Sequence, residues 1–121
     1  MKKTYETGLW GEDTALEYLT RKMNMILLEH RYRTKCGEID LIMMDGETVV
    51  FVEVKTRKTG EAGNGLSAVT IPKQKRITNA AILYLMKQRW MNRPVRFDLV
   101  EIHGDKILYV PDAFHPYGSF L

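Results

Sequence analysis

Residues 37–58 read GEIDLIMMDGETVVFVEVKTRK, the pattern of a β-hairpin. An apolar-rich run from Ile39 to Met44 meets Asp45-Gly46, and a β-branched run from Thr48 to Val54 follows. Asp-Gly between two such runs is a strong hairpin signal, because glycine accepts the positive φ of a tight turn. With Asp45 and Gly46 as the loop, Met44 faces Glu47, Glu38 faces Glu53 and Asp40 faces Phe51. Side chains alternate across a strand, so Glu38, Asp40, Glu53 and Lys55 share one face. Ile39, Leu41, Met43, Val50, Val52 and Val54 occupy the other, which is apolar throughout and is assigned to the core.

Three carboxylates and a lysine thus collect at one end of a hairpin whose back is buried. Like charges placed opposite one another destabilise a sheet, so the acids need a counter-charge. Lys55 supplies part of it and a divalent cation would supply more. The hairpin alone leaves a second reading open, a solvated polar face carrying a Glu–Lys pair.

Outward from the hairpin, 121 residues predict one domain, 1–121, large enough to bury a core without staples. A single cysteine, Cys36, excludes an internal disulfide framework and suits a reducing compartment. No apolar run approaches the roughly 20 residues that span a bilayer. The first residues, MKKTYETGLWGED, lack the apolar stretch of a secretory signal, so a cytoplasmic location without membrane contact is expected. The net charge of +3 is unevenly placed: residues 55–96 hold ten basic side chains against one acid, Glu61. Such a basic surface suits a polyanion, although a solvated basic helix face would give the same count.

Residues 4–22 predict an amphipathic helix capped by Thr4 or Thr7, with the stripe Tyr5, Leu9, Leu16, Leu19, Met23. Glu12 fills the gap in that stripe, and a carboxylate there requires a partner, a metal or an edge position that reaches water. Gly8 and Gly11 weaken the helix and suit a close approach. A first strand is expected over 26–32, the hairpin strands over 38–44 and 48–55, and a Gly-rich loop over 56–67. Pro72 opens a second helix with Thr70 or Ile71 at its cap and the core stripe Ile77, Ala81, Tyr84, Leu85, extending to Gln88. Lys73, Lys75 and Arg76 load its first turns with positive charge, which suits an arriving anion. Strands over 95–102 and 106–110 complete the order α-β-β-β-α-β-β, an α/β domain with a mixed sheet and a helix on each face. The tail from Pro111 shows no regular period.

The arrangement Asp40…Glu53-Val54-Lys55 resembles the PD-(D/E)xK nucleases, and the element order is similar to their restriction-endonuclease-like αβββαβ core, with a short extra C-terminal strand. Four segments together are similar to the YraN-like family of predicted endonucleases: Gly8-x-x-Gly11-Glu12-x-x-Ala15, GEIDLI from Gly37, FVEVKTR from Phe51, and Arg96-Phe97-Asp98. Nearly the whole chain is covered. The residue before Asp40 is Ile39 rather than the proline of the superfamily's name.

The resemblance implies a Mg²⁺-dependent phosphodiesterase, with Mn²⁺ as a substitute. Asp40 and Glu53 would be metal ligands, joined by the Val54 carbonyl, and Lys55 would orient the attacking water. Glu12 would add a carboxylate from the first helix, as in Holliday-junction resolvases. Structured or branched DNA is the implied substrate. A homodimer is a further expectation, because a junction has paired strands to cut. Arg57, Lys58, Lys73 and Arg76 are the candidate phosphate contacts. Glu38 is either a second base or a structural partner for a basic group, and Gln74 takes no assigned role. Mg²⁺ accepts hard oxygen ligands beside phosphate, so no histidine is required. A non-catalytic nucleic-acid-binding module, an RNA nuclease and a purely structural protein are the alternatives.

Overall fold

The computed structural model describes residues 4–57 and 69–115, with side chains from Trp10 onward. Two helices flank one five-stranded sheet: α1 (Thr4–Arg21), β1 (Ile26–Thr34), β2 (Gly37–Asp45), β3 (Thr48–Arg57), α2 (Ile71–Gln88), β4 (Val95–His103) and β5 (Lys106–Phe114). The strands lie in sequence order, antiparallel except for the parallel pair β3–β4. That pair is bridged by α2, as a parallel neighbour requires. The expected α/β architecture with a restriction-endonuclease-like core is therefore observed. Thr4, Thr7, Tyr5, Gly8 and Leu9 as cap or stripe side chains, Lys58 and the loop that follows it, and the last six residues lie outside the described set.

Each face of the sheet has its own core. Ala15 and Leu19 of α1 pack with Leu41, Met43, Val50, Val52, Val100 and Ile102. Ile77, Ala80, Ala81, Tyr84 and Leu85 of α2 pack with Ile39, Ile42, Val49, Phe51, Phe97 and Leu99. Phe51 and Phe97, adjacent on β3 and β4, stack with ring centroids 5.4 Å apart, and Tyr84 meets Phe51 edge-on. Tyr84 also meets Tyr32 edge-on, which ties α2 to β1. Met23 is exposed beyond α1, and Met25 takes the buried place instead.

Two expectations about the hairpin are corrected. Asp45 pairs with Thr48, Met44 with Val49 and Ile42 with Phe51, so the turn is centred on Gly46-Glu47 rather than Asp45-Gly46. Gly46, at φ 62°, takes the first central position, where a type II′ turn selects glycine. Glu38 is thereby removed from Glu53, and Asp40 becomes the residue that would meet it. The apolar face is also interrupted. Ile39 packs on the α2 side while Leu41, two residues on, packs on the α1 side. The break falls at Asp40, next to Arg31, which sits at φ 55° between the pairs His30↔Leu41 and Tyr32↔Ile39. β5 is also longer than its five expected residues, running through Asp112 (φ 53°) to Phe114.

Two glycines permit close contacts that fix the helices. A Cβ on Gly11 would lie 2.1 Å from Thr56 Oγ1, so α1 rests directly on β3. A Cβ on Gly37, at φ 157°, would lie 3.1 Å from Arg76 Cβ and 3.2 Å from the Arg76 carbonyl oxygen. Gly37→Ala is expected to destabilise the fold by about 1–3 kcal/mol through overpacking against the backbone of α2. Denaturant melts of the two proteins, compared at equal m-value, measure that loss.

α2 is closed at both ends. Thr70 caps it, its hydroxyl accepting from the Lys73 amide at 3.3 Å, with proline in the first turn. Gln74 Nε2 donates to the Val69 carbonyl at 2.9 Å, which gives that side chain a structural role at the helix entry. Arg89 at φ 62° ends the helix in the left-handed conformation. No helix among the described residues is long and apolar enough to cross a membrane.

Candidate metal and nucleic-acid site

The regular pairing of β2 with β3 ends at Leu41↔Val52. One step further, Asp40 turns its carboxylate into the gap, and Oδ2 accepts the Val54 amide at 2.8 Å. Glu53, buried with 6 % exposure, lies close enough to hydrogen-bond Asp40. Burial, followed by the charge of Glu53, pushes the Asp40 carboxyl up to about 8, against the one lowering influence of the Val54 amide. Two carboxylates this close, Glu53 buried and Asp40 half-buried, resist ionising together, and a cation relieves the conflict. Lys73, in the first turn of α2, supplies one by pairing with Glu53. The side chain expected to touch phosphate thus stands within the acidic pair's own contact shell. Lys55 lies two residues beyond Glu53 on β3 and is exposed.

Glu12 reaches the same region from α1, and its charge adds to the upward push on Asp40. It is buried, with 7 % exposure, and is held by β1. Arg31 Nε donates to Oε1 at 2.8 Å, Arg31 Nη2 lies 3.3 Å from Oε2, and His30 Nε2 is 3.0 Å from Oε1. The hydrogen bond to Glu12 raises the Arg31 guanidinium above its ordinary value, and the charges of Glu38 and Asp40 add to this. The left-handed backbone at Arg31 is a strained conformation for a long side chain, of the kind that concentrates at functional sites. Neither Arg31 nor His30 was singled out by the sequence reading. The readable signal was the abrupt change of β1 from Ile-Leu-Leu to Glu-His-Arg.

Other predicted positions separate from the cluster. Glu38 is exposed and meets Arg33 of β1 at 3.5 Å, the structural-partner option. Arg57 is mostly buried, and its Nε donates to Glu101 Oε2 at 3.3 Å. Arg76 is exposed on α2, where its backbone packs against Gly37. Arg96 and Asp98, read as part of a family motif, form a buried ion pair on the α1 side, remote in role from the acids.

Among the described residues, no three acid, histidine or cysteine side chains stand together as a ready-made metal cage. The donor set nevertheless fits a hard divalent ion. Mg²⁺ is commonly held by one or two carboxylates, with water and phosphate completing the shell. Asp40 and Glu53 supply that number, and the raised Asp40 carboxyl is the charge conflict such an ion relieves.

Comparison with known proteins matches residues 11–102 to the family described as Uncharacterised protein family UPF0102. A UPF0102 protein of Alkalilimnicola ehrlichii is 46 % identical over 110 residues, covering 90 % of this chain and 86 % of its own length. One from Geobacter metallireducens is 43 % identical over 111 residues, covering 88 % and 90 %. A Legionella pneumophila relative is 39 % identical over 114 residues, covering 92 % and 96 %. The matched span contains Gly11-Glu12, the whole acidic hairpin and Arg96-Phe97-Asp98, and the chain belongs to the UPF0102 family.

Proposed function

We propose that this chain is a divalent-metal-dependent endonuclease of the PD-(D/E)xK type, similar to the YraN-like family, that hydrolyses phosphodiester bonds in structured or branched DNA. The observation that carries this reading is the close pairing of half-buried Asp40 with buried Glu53, with Lys55 two residues along the same strand. Asp40, Glu53 and the Val54 carbonyl would hold Mg²⁺ or Mn²⁺, which would make a bound water easier to deprotonate and polarise the phosphate. Glu12 is near enough to add charge to the site, and Arg31 and His30 fix its carboxylate. Lys55 orients the water and steadies charge on the phosphate. Lys73 balances Glu53 and stands where an incoming phosphate needs a cation. A junction presents two strands, which suits two copies of the chain, and the lone Cys36 suits the cytoplasm.

A second reading, a nucleic-acid-binding module without turnover, is favoured by one observation. Glu12 and Glu53 already carry protein cations, Arg31 and Lys73. Cleavage assays on junctions, flaps, single strands and RNA, in Mg²⁺ and in Mn²⁺, separate the readings. The expected result is cleavage of at least one branched DNA, lowered beyond detection by Glu53→Gln and about 10²-fold or more by Lys55→Ala. Salt-dependent binding with no cleavage of any substrate sinks the enzyme reading, and exclusive cleavage of RNA redirects it.

A further inference from the structure

A basic row crosses three strands beyond the acidic pair. Arg57 of β3 pairs in register with His103 of β4, and His103 pairs with Lys106 of β5. Beneath them lies Glu101, fully buried, whose Oε2 accepts from Arg57 Nε at 3.3 Å and whose Oε1 meets His103 Nε2 at 2.6 Å. One carboxylate offsets one cation of the row, and Asp105, in the turn between His103 and Lys106, is exposed to water. We infer that Arg57, His103 and Lys106, braced by Glu101, form a phosphate subsite for the nucleic-acid strand that passes through the Asp40–Glu53 site. This rests on the function proposed above.

The chemistry of the row suits an oxyanion. Glu101 takes the Arg57 Nε, which leaves the terminal fork of the guanidinium for a bidentate phosphate contact. It also meets His103 Nε2, which orients the ring, and Nδ1 becomes a donor to an oxyanion when the imidazole carries its second proton. Exposure increases along the row: side chains of Arg57 and His103 are 15 % and 24 % exposed, and Lys106 is open to solvent. A strand of nucleic acid could therefore follow it outward.

Position supports the same assignment. β3 and β4 are the parallel pair, and ligands of open α/β sheets bind beyond the carboxyl ends of such strands. Arg57 lies two residues past Lys55 and four past Glu53 on the same side of β3. A two-residue step is about 6.6 Å, comparable to the step between successive phosphates of a strand. The row then meets a phosphate neighbouring the scissile one, and it accounts for a fully buried Glu101 that the acidic site does not use.

The test is binding of the full chain, in chelator, to fluorescent junction and single-stranded DNAs. Each carries one uncharged methylphosphonate linkage, moved step by step along the strand. For the unaltered protein, one linkage is expected to weaken binding roughly tenfold when neutralised. In His103→Gln the effect of neutralising that linkage shrinks severalfold while effects elsewhere persist. Lys106→Gln, at an exposed position, carries the same expectation if a change at Arg57 or His103 unfolds the chain. Identical methylphosphonate profiles in the unaltered protein, His103→Gln and Lys106→Gln overturn the subsite and leave Glu101 a structural brace. Failure to bind any of these DNAs removes the nuclease reading and the subsite together, whereas binding with unchanged profiles removes only the subsite.

Discussion

Asp40→Asn is expected to make the metal-free protein more stable at pH 8.5 and to abolish its stabilisation by Mn²⁺ or Mg²⁺. The folded chain holds the Asp40 carboxyl at about 8, far above the ordinary 3.8, because it is desolvated beside Glu53. An acid whose folded value is raised binds protons more tightly in the native than in the unfolded chain. Stability from this group is therefore full below about pH 4 and is lost as pH rises towards 8. The asparagine removes that loss while keeping an oxygen to accept the Val54 amide. Melting curves in chelator should coincide near pH 4 and diverge with rising pH. By pH 8.5 the variant should be ahead by about 2–4 kcal/mol, below the full linkage value because the neighbouring acid titrates with it. That corresponds to about 8–15 °C. Divalent metal should reverse the order by stabilising the unaltered pair alone. Parallel melting curves across pH, or equal metal response in both proteins, would show that Asp40 and Glu53 do not share a site.

What the sequence disclosed about this centre followed from alternation and composition. Asp40, Glu53 and Lys55 belong to one hairpin, and period-two patterning placed them at its charged end. Glu12 was visible as an acid on an apolar helical stripe. The register was misread because Asp45-Gly46-Glu47 offers glycine to either of two turn frames, and the two shift each cross-strand partner by two residues. The correct frame puts Asp40, not Glu38, against Glu53, and it is that contact that carries the electrostatic conflict. Arg31 and His30 escaped, as did the pairing of Lys73 with Glu53, because the partners are distant in sequence and no local period reports which cation faces which acid. Glu101 was legible in principle. Phe97, Leu99 and Glu101 share the α2 side of β4, which is buried, and an acid there demands a basic partner.

The restriction-endonuclease-like order of elements also explains why one surface gathers so many charges. The break in alternation at Asp40 moves Ile39 to the α2 side and frees the strand gap for a carboxylate. The left-handed Arg31 beside it directs a guanidinium to Glu12. Acid from α1, acids from β2 and β3 and a lysine from α2 thereby converge where the ladder opens.

The largest loss of stability is expected elsewhere, at Arg96→Ala. Asp98 is fully buried and accepts four hydrogen bonds: Arg96 Nε at 2.9 Å, Arg96 Nη2 at 3.0 Å, the Tyr109 hydroxyl at 2.6 Å and the Asp112 amide at 2.9 Å. Arg96 Nη1 extends the network to Asp45 at 3.1 Å, beside the hairpin turn. The hydrogen bonds that Arg96 donates to Asp98 raise the guanidinium's affinity for its proton, and burial raises that of the Tyr109 hydroxyl. The Asp112 amide is held where β5 slips register against β4 at a left-handed residue, so the carboxylate stands in for a missing ladder bond. Removing Arg96 leaves a buried charge with no cation, a change that costs about 3–5 kcal/mol. For a chain of this length the melting temperature should fall by about 12–20 °C. Tyr109→Phe, which loses one hydroxyl donor, should cost about 1–2 kcal/mol. Material that remains folded should bind Mn²⁺ as the unaltered protein does, because Arg96-Phe97-Asp98 braces β4, β5 and the hairpin turn without meeting the acidic pair. A melting temperature within 3 °C of the original, joined to lost metal binding, would instead make this motif part of the metal centre.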